Sequence, residues 1–125
     1  MDNNEELLNE ETQEEVTNDE PTPAPHTLVD DVKLALRISH NLLDDEIADV
    51  IASARQEMIR AGVNSAVAND EAEDAPTELV EKAIKTYAME YYTRDVKEAD
   101  RYSESFKFQC DNLRKSYPAE VVVDV

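Results

Sequence analysis

Leu43, Ile47, Val50, Ile51, Ala54 and Met58 fall at i, i+4, i+7, i+8, i+11 and i+15, a single face of a 3.6-residue period. A stripe that long must be buried against other helices, so it fixes an all-α framework before any other feature is considered. Its flanks agree with it. Asp44, Asp45 and Glu46 stand where the positive end of a helix dipole favours acids, and Gly62, the sole glycine, follows "MIRA" as a helix-ending residue should.

Three further helices are expected around it. Thr27 is a plausible N-cap for "LVDDVKLALRI", with Asp30 and Asp31 in the first turn and Leu28, Val32, Ala35 and Leu36 as the apolar stripe. Thr77 after Pro76 reads as another N-cap, followed by a stripe of Val80, Ala83, Ile84, Tyr87 and Tyr91. A last stripe runs Ala99, Tyr102, Phe106, Cys110, Leu113 and Tyr117 before Pro118 ends it. No Gly or Pro separates Thr77 from Tyr117, so these two could be one rod of roughly 60 Å at 1.5 Å per residue. A break near "YTRD" is favoured, because Asp95 offers a cap and the two stripes do not share a phase. The expectation is a small bundle of about four helices, near 28–38, 43–61, 77–94 and 97–116, with 63–76 as a loop.

The ends differ from this core. Residues 1–26 hold nine acids and no Lys or Arg, half of the net charge of −18, and close in "PTPAP". Such a segment cannot bury enough apolar surface to offset its ordering entropy, and is expected to stay mobile unless a partner holds it. Residues 27–118 form the expected helical domain, and 119–125, "AEVVVDV" with its alternating acids, an extended end or a strand lent to a neighbour. A core drawn from about 90 residues is marginal alone, so oligomerisation is expected.

Composition removes several function classes. With 30 Asp and Glu against 12 Lys and Arg, the chain is unsuited to gripping a phosphate backbone. No apolar run reaches the ~20 residues of a membrane span, and the opening "MDNNEELLNEETQEEV" lacks the basic start and apolar centre of a signal peptide. One cysteine cannot build a disulfide framework.

Chemical constellations are weak throughout. "NDEAEDAP" gathers Asp70, Glu71, Glu73 and Asp74, but lacks the alternate spacing and central glycine of a calcium loop. In "SHNLLDDE", His40 lies near Asp44 and Asp45, yet neighbours on a helix point about 100° apart and cannot converge on one proton or metal. Cys110 falls on an apolar stripe, as a buried inert thiol would. Two histidines and one glycine give neither a zinc set nor a phosphate cradle. No catalytic, cofactor or metal residue is therefore expected. The densest remaining feature is residues 88–108, rich in aromatics and cations. That is the composition of interface centres, or equally of core aromatics flanked by solvated cations; adjacent Tyr91 and Tyr92 cannot both face one core.

Thr27 to Val63, "TLVDDVKLALRISHNLLDDEIADVIASARQEMIRAGV", resembles the opening of tailed-bacteriophage head–tail connector, or adaptor, proteins. Leu36, Arg37 and Ile38 hold the motif that ends the first helix. Asp44, Asp45 and Ile47 hold the polar corner and helix start, and Ala54 and Arg55 the later part. "LVEKAIKTYAMEYYTRD" resembles the family's aromatic-rich helix and "NLRKSYP" its short C-terminal one, so the likeness covers 27–118 and excludes both ends.

The resemblance implies a non-enzymatic, all-α virion subunit, assembled in the host cytoplasm. It implies a ring of twelve beneath the portal, extending the DNA channel and docking a stopper or tail-completion protein. Genomic DNA would pass through the lumen without sequence-specific binding, and neither cofactor nor membrane is involved. Subunit or portal contacts are then expected at Tyr91, Tyr92, Arg94, Arg101, Tyr102, Phe106, Phe108, Arg114, Tyr117, Val121 and Val123. Asp44, Asp45, Asp70, Glu71, Glu73 and Asp74 are candidate lumen or solvent acids, where carboxylates would repel passing phosphates. The alternative is a small acidic helical binder, such as a DNA-mimicking inhibitor. Mimicry needs carboxylates spaced along a face like phosphates, whereas here they cluster at helix starts, in the tail and in a loop.

Overall fold

Five helices follow one another in the computed structural model, which describes residues 27–120: α1 (Leu28–Leu36), α2 (Asp44–Arg60), α3 (Ser65–Ala68), α4 (Thr77–Tyr92) and α5 (Val96–Ser116). The all-α bundle is as expected. The acidic segment 1–26 and the valines Val121 and Val123 lie outside the described residues.

Local chemistry explains the boundaries. Thr27 caps α1 in a capping box, its hydroxyl accepting from the Asp30 amide while Asp30 accepts from the Thr27 amide. At the other end Arg37 takes a left-handed conformation, φ 61°, and the Ile38 amide reaches back to the Lys33 carbonyl. The α2 terminus repeats this closure around Gly62 at φ 108°. There the Val63 amide donates to the Met58 carbonyl, and Val63 and Met58 are both fully buried. Glycine accepts such a backbone freely, whereas Arg37 does so at a cost of about 1–2 kcal/mol. Arg37→Gly is therefore expected to raise stability by up to about 1 kcal/mol, measured by urea denaturation.

The expected stripe of α2 is buried in full except for half-buried Leu43. The break at "YTRD" is real. Asp95 caps α5 by accepting from the Lys97 and Glu98 amides, and Thr93 is extended, so α4 and α5 turn back on each other instead of forming a rod.

Three details differ from expectation. The segment 63–76 is not a plain loop, because Asn64 caps the short α3 through the Ala66 and Val67 amides, and Val63, Val67 and Ala68 enter the core. The Arg55 guanidinium then secures α3 by donating to the Ala68 carbonyl at 2.5 Å. Thr77 is the first residue of α4 rather than its cap; its hydroxyl donates to Asp70 at 2.7 Å. Tyr91 leaves the α4 stripe, because the last turn faces the Leu36–Ile38 corner and presents Met89 and Tyr92 to it.

Helix α4 occupies the centre, packing on α1, α2 and α5. Val80, Ala83, Ile84, Thr86 and Ala88 are buried around more than one face, and the alanines allow close approach. The chain ends its described course beside α2. Asn64 donates to the Tyr117 carbonyl at 2.8 Å and Ala119 to that of Gly62 at 2.9 Å, forming an antiparallel bridge between Val63 and Pro118.

Candidate assembly surfaces

The corner between α1 and α2, which in sequence groups a histidine with acids, is built around a buried lysine. Lys33 is only 7% exposed, and its ammonium donates to Asn41 Oδ1 at 2.6 Å and pairs with Asp44 Oδ1 at 2.9 Å. His40 is turned to local structure, its Nδ1 accepting from the Leu42 amide at 3.2 Å. Asp44 thus closes a hinge and is half-buried, while Asp45, Asp70, Glu71, Glu73 and Asp74 are exposed. Among the described residues no group of three or more His, Cys, Asp or Glu could hold a metal ion.

The aromatic and cationic residues expected at an interface separate into different surroundings. At the α4–α5 turn, Tyr92 packs on the core and carries Tyr91 edge-on at 4.9 Å between ring centroids. Burial, and then the Glu46 carboxylate that it faces, raise the Tyr92 phenol above its ordinary pKa. Tyr91 is 58% exposed, and Arg94 and Val96, which follow it in the turn and the start of α5, are exposed too. Half-buried Tyr102 shares a shallow groove with Tyr92, Leu36 and Ile38, and Arg101 projects to solvent.

Along α5 the other members diverge. Phe106 is a core residue, its ring 5.2 Å from that of Tyr87. Arg114 pairs with Asp111, which also binds Lys115 at 3.0 Å, and both cations hold the Asp111 carboxyl below its usual pKa. Phe108 and Tyr117 line a separate groove between α4 and α5, with Leu79. The residues therefore do not form one patch. The α4–α5 turn and the α4–α5 groove are the two places where aromatic members of this set remain exposed.

Cys110 is buried as expected, and burial, followed by the Glu57 carboxylate, pushes its thiol up to about 11. The folded state holds the proton more tightly than the unfolded chain, so this contribution is complete below pH 9 and is lost as pH rises towards 11. Urea denaturation at pH 8 and pH 10.5 should show a loss of about 1–2 kcal/mol, which Cys110→Ala should reduce.

Comparison with known proteins bears on the whole described unit. No curated protein and no solved structure matches the chain. A family model described as phage connector protein matches residues 28–118, from the first residue of α1 to the proline that pairs with Val63. The corner, the central helix and both candidate surfaces all fall within that match, and the chain belongs to the phage connector protein family.

Proposed function

We propose that this chain is a head–tail adaptor that assembles as a ring beneath the portal, extends the DNA channel and docks the stopper or tail-completion protein. The observation that carries this is the family match, which coincides with the folded unit. The unit is residues 27–118, with 1–26 and 119–125 as additions. Its part is structural: it belongs to the virion and is not an enzyme, and a twelve-fold ring would suit a twelve-fold portal.

The shape of the subunit supports assembly. Leu34, Leu42, Leu79, Tyr91, Val96 and Phe108 are large apolar side chains left exposed on a bundle of modest core. The exposed acids Asp45, Asp70, Glu71, Glu73 and Asp74 suit a lumen that repels phosphates, whereas Asp44 is engaged by Lys33 and contributes less free charge. The lumen assignment fails if these acids face outward in the assembled particle and cations line its pore.

Size-exclusion chromatography with light scattering, with and without a portal protein, tests the proposal. A ring, or an assembly that depends on portal, is the expected result. A chain that stays monomeric beside portal and instead blocks a DNA-binding enzyme would establish the acidic-inhibitor alternative.

A further inference from the structure

The groove between α4 and α5 is unlike the rest of this acidic protein. Leu79 and Phe108 stand on its walls, 56% and 67% exposed, with Leu113 and Tyr117 at one end. Among the described residues Lys82 lines it and no carboxylate does, in a chain of net charge −18. At its base the Gln109 amide nitrogen donates to Thr86 and Ser105, both at 3.0 Å, which fixes the side chain. Gln109 Oε1 is left buried with no hydrogen-bond partner.

We propose that the occupant is the segment Val121–Val125 of a second copy of this chain. The proposal deepens the assembly reading above and rests on it. In extended form Val121, Val123 and Val125 would lie on one face, matched to the apolar walls. Asp124 gives Lys82 a counter-charge. Lengths agree as well: five extended residues span about 17 Å, and the α5 stretch from Ser105 to Ser116 rises about 16 Å.

The path of the chain indicates a second copy over self-occupancy. Gly62 holds Ala119 by a hydrogen bond and lies against the Arg114 side chain, so residue 120 departs on the Arg114 side of α5. The groove is on the other side, since Asn112 and Ser116, which line it, are each about 200° from Arg114 around the helix. One subunit therefore offers its segment from one side and its groove from another. Such a head-to-tail contact is the kind that closes into rings.

Cysteine pairing between two separately tagged variants tests this. One carries Val123→Cys, the other Ser105→Cys or Ser116→Cys at either end of the groove. Both are mixed under mild oxidation in an assembled state verified by light scattering, alone or on portal. A mixed disulfide dimer from one of the two groove positions is expected, with none from a control Asp49→Cys partner on exposed α2. A chain ending at Glu120 should assemble at least about tenfold more weakly, equivalent to about 1.4 kcal/mol. Assembled particles without the mixed dimer, a disulfide formed only within one chain carrying both cysteines, or full assembly by the shortened chain would each overturn the proposal and leave the ring intact. Failure to assemble under either condition would defeat the ring as well.

Discussion

Lys33→Ala is expected to destabilise the protein by about 2–3 kcal/mol, because it removes the ammonium that joins α1 to the start of α2. Breaking a fully buried pair costs about 3–5 kcal/mol, and the lower figure applies here because the Asp44 side chain is 40% exposed and can rehydrate. For a folded unit of about 90 residues that is a large share of the total, worth about 10–20 °C in melting temperature. Two companions separate charge from packing. Lys33→Met keeps the buried stem and should cost less than the alanine. Asp44→Ala strands a buried ammonium on Asn41 alone and should cost more than Lys33→Met. Urea denaturation of the three variants provides the ranking, and equal losses for Lys33→Met and Lys33→Ala would place the whole effect in the charge.

The corner also shows what sequence patterns can and cannot reveal. The α2 stripe was legible because six apolar positions report one face, and each residue strengthens the inference from the others. Gly62 and Asp95 were legible because few residue types suit a left-handed terminus or a cap. Lys33 gave no such signal. Its position is that of an ordinary charged residue in a last helical turn, and only the fold shows that α2 and Asn41 close over it.

Helix α3 and the two tyrosines were equally hard to place from residue type alone. Four residues supply too little periodicity to separate a helix from a loop, although Asn64 followed by "SAVA" is a capping signal that could have marked it. Tyr91 and Tyr92 are adjacent, so one had to leave the core, and composition cannot choose between them. The choice follows from which side of α4 meets the Leu36–Ile38 corner, a tertiary fact. The candidate contacts were legible as residue types but not as surfaces. Phe106 and Phe108 differ by two positions on α5, and one fills the core while the other stands in solvent.

This division makes Tyr91 the sharper probe of assembly. Tyr91→Ala removes a ring that is mostly exposed, so helicity and melting should change little, within about 0.5 kcal/mol beyond the lost contact with Tyr92. If the α4–α5 turn is the contact with portal, the same change should weaken portal-dependent assembly by about 30-fold, the roughly 2 kcal/mol of an aromatic hot spot. Arg94→Ala should act in the same direction, because its exposed guanidinium lies on that turn and is available to a partner's acids or carbonyls. Tyr92→Ala should behave differently, lowering both melting temperature and assembly, since its ring is packed against the core. Titration of portal followed by light scattering measures the first effect, and circular dichroism on heating measures the second. Wild-type assembly by both Tyr91→Ala and Arg94→Ala would remove this turn from the portal contact. Loss of assembly at unchanged melting temperature would assign the turn to the partner, because a merely structural role for Tyr91 would move both.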